Sequence, residues 1–217
     1  MDKVKSIEEV MEHIKDGMTI MVGGFMGVGT PEMLIDAIVK KNVKDLTIIA
    51  NDTGFPDKGV GKLVVNKQVK KVIASHIGLN PETGKQMNSG EMAVDLVPQG
   101  TLAEQIRCGG AGIGGFLTET GLGTAVEEGK QKIKLNYKEF ILELPLRADI
   151  ALVGGSIVDK QGNIFYNAST RNFNPLVATA ADLVIVGAEK IVEVGEIDPN
   201  HVMTPGIFVD YIVGGEN

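Results

Sequence analysis

The segment Gly23-Gly24-Phe25-Met26-Gly27-Val28-Gly29-Thr30-Pro31 constrains this chain more than any other. It follows the apolar run Met18-Thr19-Ile20-Met21-Val22 and precedes a helical pattern in which Leu34, Ile35, Ile38 and Val39 share a face. A strand, a glycine turn and a helix start in that order make a βα unit, with Thr30 as N-cap and Pro31 at the first helical position. Backbone N–H groups at such a start are unpaired and sit at the positive end of the helix dipole, so the turn suits an anionic ligand. Glycine lets that ligand come close where a Cβ would intrude.

The same alternation continues. Ser6-Ile7-Glu8-Glu9 reads as a capping box opening a short helix through Val10, Met11 and Ile14 to Gly17. Apolar strands are expected at residues 46–50, 72–74 and 93–97, with helical or turn-rich connections and a clear helix at residues 101–107 carrying Leu102, Gln105 and Ile106. Residues 133–142 alternate around Asn136 as a β-hairpin. Further strands are expected at residues 148–153, 183–186 and 207–213, with a turn over residues 159–163. The pattern predicts one α/β domain over residues 1–217: an open, mostly parallel sheet flanked by helices, with a β-rich C-terminal portion.

Several function classes fall away. Net charge is −7, from 21 Lys and Arg against 28 Asp and Glu. Nucleic-acid binding, which rests on neutralising phosphates, is not expected. Three arginines, Arg107, Arg147 and Arg171, leave little for reading base edges. The charged start Met1-Asp2-Lys3-Val4-Lys5-Ser6 lacks the apolar stretch of a signal peptide, and the uncharged run over residues 17–31 is short of the ~20 apolar residues of a membrane span. A cytoplasmic protein is expected.

The single cysteine, Cys108, has no disulfide partner in the chain and reads as a packed hydrophobe. His13, His76 and His201 show no metal-ligand spacing, so no metal is expected. Ser156, in Gly154-Gly155-Ser156-Ile157-Val158, lacks the closing glycine of a nucleophile elbow. From Gly27 the dinucleotide fingerprint fails at Glu32, and Gly61-Lys62-Leu63 is no P-loop. Asp52 stands at the spacing of a ribose-binding acid, which keeps a non-catalytic nucleotide-binding or regulatory protein as the alternative. Asn51-Asp52-Thr53 reads equally as cleft lining or as a turn.

Glycine is nearly twice as frequent as the usual ~7%, at 28 of 217 residues, and it clusters in residues 23–29 and 109–123. The run from Asp16 through Gly23-Gly24-Phe25 to Thr30-Pro31 resembles the signature of the family I coenzyme A transferases. Ile73-Ala74-Ser75-His76-Ile77-Gly78, Pro98-Gln99-Gly100-Thr101-Leu102, Gly109-Gly110-Ala111-Gly112-Ile113-Gly114-Gly115-Phe116 and Arg171-Asn172-Phe173-Asn174-Pro175 carry the resemblance across nearly the whole chain. It is strongest to the α subunits acting on acetate, butyrate and acetoacetate.

The resemblance implies transfer of CoA between a short acyl-CoA and a short carboxylic acid through a glutamyl-CoA intermediate. The family's glutamate lies in a Ser-Glu-Asn-Gly motif of the β half, and this chain has none. The resemblance therefore implies a separate β subunit carrying the nucleophile, in an α2β2 assembly, with CoA as substrate and no permanently bound cofactor. Gly24, Phe25, Met26, Gly27, Val28, Gly29 and Thr30 resemble the family's CoA-binding segment. Gly112, Gly114, Gly115 and Phe116 are the oxyanion-loop candidates, because amides in a glycine loop reach a developing oxyanion unobstructed. Read from its residues alone, residues 109–123 could also be a surface loop. Glu32 is expected to oppose a phosphate, and residues 171–175 read as a domain-facing loop or as a subunit contact.

Overall fold

The structure is a computed structural model that describes residues 2–215; Met1, the first residue of the charged N-terminal run, and residues 216–217 lie outside it. The chain runs α1 (Ile7–Met11), β1 (Thr19–Val22), α2 (Glu32–Lys41), β2 (Leu46–Ala50), α3 (Val60–Val65), β3 (Val69–Ala74), α4 (Pro81–Ser89), β4 (Ala93–Leu96) and α5 (Gln99–Ala111). A small sheet follows, of β5 (Phe116–Thr118), β6 (Lys132–Leu135) and β7 (Lys138–Glu143). The chain then returns with β8 (Ala148–Asp159), β9 (Ile164–Phe165), α6 (Asn174–Val177), β10 (Ala181–Val192) and β11 (Tyr211–Gly214).

The main sheet has the order β11-β10-β8-β1-β2-β3-β4, all parallel, with β9 pairing antiparallel to the far part of β8. β1 to β4 step outward in one direction, whereas β8, β10 and β11 lie on the other side of β1. The order therefore reverses between β1 and β8. Ligands of open α/β sheets bind outside the carboxyl ends of the strands at such a switch point.

The strands read as continuous apolar runs because both faces are covered. Ile20, Val22, Ile48, Ala50, Ile150 and Leu152 point into one core with α1, α2 and α3. The alternate residues Met21, Ile49, Ala151 and Val153 join Leu102 and Ile106 of α5 and Val177 of α6 on the other face.

The Ser6–Glu9 capping box is present, with both reciprocal bonds, but α1 stops at Met11 and Ile14 is buried beyond its end. α2 starts one residue later than expected: Pro31 is the N-cap and Thr30 makes no side-chain cap bond. α5 is longer than expected and absorbs Gly109 and Gly110. The physical reason is close packing, since a Cβ on Gly109 would fall 1.9 Å from the Leu146 carbonyl oxygen and one on Gly110 2.2 Å from Thr179 Oγ1.

The hairpin around Asn136 forms as expected, β6 pairing with β7 across Asn136 (φ 46°) and Tyr137 (φ 66°). Positive φ at both central positions is the tight hairpin geometry that matches strand twist. The expected strand over residues 207–213 shortens to β11, because Gly206–Phe208 forms a single 3₁₀ turn with Ile207 87% exposed. The turn over residues 159–163 is held by the Asp159 carboxylate, which accepts from the Gln161 and Asn163 amides.

Candidate functional site

The first glycine segment leaves β1 at the switch point and folds into a miniature hairpin. Phe25 and Val28 exchange both backbone bonds, at 3.0 and 2.8 Å, around Met26 (φ 52°) and Gly27 (φ 80°). Three side chains hold it. Asp52 Oδ2, just past β2, accepts from the Met26 amide at 2.9 Å. Asn172 accepts from the Gly24 amide through Oδ1 and donates through Nδ2 to the Val28 carbonyl. Asn174 donates to the Gly29 carbonyl at 2.9 Å while its Oδ1 accepts from the Gly154 amide of β8.

Residues 171–175 are thus an internal brace for the glycine segment, which the sequence left undecided. The brace also narrows the expected row of open amides. Those of Gly23, Gly24, Phe25, Met26 and Val28 are spent on protein acceptors. Among the described residues the amides of Gly27, Gly29 and Thr30 donate to no protein group. These same three residues line a cavity of about 310 Å³ that reaches across to Gly154, Ser156 and Gly187 of β8 and β10.

The glycines also serve a purpose other than the expected one. A Cβ on Gly23 would meet Asn174 Oδ1 at 1.9 Å, on Gly24 would meet Thr30 Oγ1 at 2.0 Å, and on Gly29 would meet the Thr170 carbonyl oxygen at 2.5 Å. They are glycine because the protein packs there. Gly27 differs: its Cβ position lies 3.6 Å from Lys58 Cβ, an ordinary contact, and its positive φ is what favours glycine.

A second loop, after β2, lies against the first. Asp52 Oδ1 accepts from the Gly54 amide at 2.7 Å, and Oδ2 takes the Asn51 side-chain amide as well as Met26. With both oxygens engaged and the side chain buried, Asp52 is a structural anion and is not free for a ribose hydroxyl. Glu32 likewise is not an open charge facing a phosphate: Oε1 accepts from the Gly59 amide and Oε2 from Lys62 Nζ at 2.7 Å. Burial disfavours the charged Lys62, but its bonds to Asp36 and Glu32 outweigh this and hold its pKa above the usual lysine value.

The second loop was missed, and the sequence held a signal for it. Gly24-Phe25-x-x-x-Gly29 recurs thirty residues later as Gly54-Phe55-x-x-x-Gly59, and Phe55 and Lys58 pair as Phe25 and Val28 do. Beyond it, at the ends of β3 and β4, Ser75 Oγ donates to the Asn51 carbonyl at 2.8 Å and bonds to Gln99.

The second glycine block lies elsewhere. α5 starts at the carboxyl edge of the sheet and runs back for thirteen residues, about 20 Å at 1.5 Å per residue. It ends against Leu146 and Thr179, which precede β8 and β10. Gly112 (φ 66°) is its left-handed C-cap, Gly114 faces open space, and Gly115 leads into Phe116, paired with Glu143 of β7. The structure therefore does not bring Gly112, Gly114, Gly115 and Phe116 together with residues 24–30.

The remaining sequence candidates have plain structural roles. Cys108 is buried in α5. His13 stacks on Tyr211 at 5.1 Å, and Ser156 Oγ accepts from the Asn167 amide. Among the described residues no group of three or more His, Cys, Asp or Glu could hold a metal ion, and no helix is long and apolar enough to cross a membrane.

The Coenzyme A transferase family model matches residues 4–215. The chain belongs to the coenzyme A transferase family. It is 58% identical over 211 residues to the acetate CoA-transferase subunit alpha of Escherichia coli (strain K12), covering 97% of this chain and 96% of that one. It is 56% identical to the acetoacetyl-CoA:acetate/butyrate CoA transferase alpha subunit of Clostridium acetobutylicum, covering 97% of each. Among solved structures it resembles an acyl-CoA transferase from E. coli O157:H7, in a thioester complex with CoA, at a TM-score of 0.87 and 22% identity. The match covers all of this chain and 49% of that one, so this family member spans about half the length of that relative.

Proposed function

We propose that this CoA-transferase chain is the α half of an enzyme moving CoA between acetoacetyl-CoA, or another short acyl-CoA, and acetate or butyrate. Near-full-length identity of 56–58% to two α subunits named for those acids carries the reading. A β chain supplies the nucleophilic glutamate, the two assemble as α2β2, and the enzyme works in the cytoplasm on CoA as substrate. The buried acid at this chain's switch point supports that division of labour, because Asp52 has both oxygens tied to N–H donors.

Residues 24–30 receive CoA at the cavity lined by Gly27, Gly29 and Thr30, whose amides donate to no protein group. There they offset the unfavourable approach of an anion to a chain of net charge −7. The test is an assay of the purified chain with acetoacetyl-CoA and acetate, alone and with its β chain. No turnover alone and full turnover on mixing is the expected result; turnover by the single chain overturns the reading.

A further inference from the structure

The tip of the first hairpin carries a contradiction that packing within the chain does not explain. Phe25, Met26 and Val28 are 46%, 38% and 44% exposed, although the backbone beneath them is pinned from two sides by Asp52 and Asn172. Phe25 and Val28 are directly paired, which puts their side chains on one face of the tip. Met26 holds a left-handed backbone conformation that Asn or Gly would adopt at lower cost, so an apolar side chain is kept at a conformational disadvantage. A rigid, apolar, uncharged projection with the charged Lys58 against Gly27 at its tip has the anatomy of an interface centre with a polar margin.

We infer that Phe25, Met26 and Val28 form a docking finger for the β subunit. This rests on the reading above. The occupant follows from the relatives: two near-identical-length relatives are named as alpha subunits, while a single-chain transferase of the same fold is twice as long. A second body of similar size must therefore cover part of this unit. The finger stands at the switch point, where the reaction needs the β chain's glutamate to arrive. An apolar contact there excludes water from the thioester exchange as well as holding the chains together.

The experiment is sedimentation of the chain with the Ser-Glu-Asn-Gly-bearing β chain of the same source, for wild type, Met26→Gly and the double variant Phe25→Asp/Val28→Asp. Met26→Gly relieves the backbone while removing the side chain. It should leave the melting temperature of the chain alone unchanged or raised, yet weaken assembly about tenfold. The double variant should weaken it further. If both variants assemble as wild type does, the finger is not an interface. The same conclusion holds if assembly is intact and only the KM for acetoacetyl-CoA rises, because the tip then meets CoA instead. Failure of the wild-type pair to assemble or turn over removes the α-subunit reading itself, and this inference with it.

Discussion

The two glycine-rich blocks look alike as text, and their backbones are held in different ways. In the block after β1, Gly23, Gly24 and Gly29 leave no room for a Cβ, and three side chains from distant parts of the chain fix the backbone. In the second block Gly109 and Gly110 are packed within α5 against Leu146 and Thr179, whereas Gly112 and Gly114 just beyond it face open space where the chain passes from the helix to the small sheet. Glycine content marks where backbone geometry is unusual. Whether that geometry is over-determined, and at which edge of the sheet it lies, separates the two blocks.

Gly29→Val presses that difference hardest. It combines a φ of 74° with a Cβ 2.5 Å from a backbone oxygen. We expect a loss of about 3–5 kcal/mol, or a melting temperature lower by roughly 10 °C or more. A variant melting with wild type would show the brace to be slack. Asp52→Ala comes next. It strands the Gly54 amide in a buried setting and the Met26 amide in a half-buried one, and should cost about 2–3 kcal/mol in urea unfolding, with faster hydrogen exchange at Met26. Unchanged exchange at Met26 would mean that Asp52 does not hold the tip.

Burial in the segment leading to the brace can be read through pH. Tyr166, just before residues 168–171, is buried with its hydroxyl bonded to Thr204 Oγ1 at 2.8 Å, and burial pushes its pKa well above the usual tyrosine value. The unfolded phenol ionises near ~10, so the folded chain keeps a proton that the unfolded chain releases. Stability from this group is complete below about pH 10 and falls above it, by at most ~1.4 kcal/mol per pH unit. Tyr166→Phe should cost about 1 kcal/mol at neutral pH and flatten the alkaline decline. Parallel curves for the two proteins would place Tyr166 in a wetter setting. Gly114→Ala is the smallest effect, within about 0.5 kcal/mol; a larger loss would show that the turn after α5 is packed after all.

Local rules made much of the fold legible. The Ser6–Glu9 box, the β2 boundaries and the hairpin at Asn136 depend on neighbours in sequence, and they appear as expected. Residues 207–213 misled because an apolar run says nothing about which part finds a pairing partner. In the candidate site, the resemblance and the strand-turn-helix pattern singled out residues 24–30. The roles of Asp52, Asn172 and Asn174 were invisible, since each holds a backbone group of a segment remote in sequence, Asp52 from the end of the neighbouring β2 and the two asparagines from across the switch point. That α5 carries the second block away from the first depends on the direction of a crossover, which the residues of the block do not encode.

The bonds joining residues 24–29 to Asn172 and Asn174 span 144 to 148 positions. That separation is a statement about time. At roughly 5–20 residues per second, a ribosome that has finished β1 needs about 7–30 s more before the bracing asparagines exist. Until then β1 to β4 can pair with one another, but the hairpin tip is held only by its own bonds and by Asp52. A chain cut short before Asn174 therefore cannot brace its hairpin tip, and synthesis through that residue becomes a condition for fixing the tip's shape.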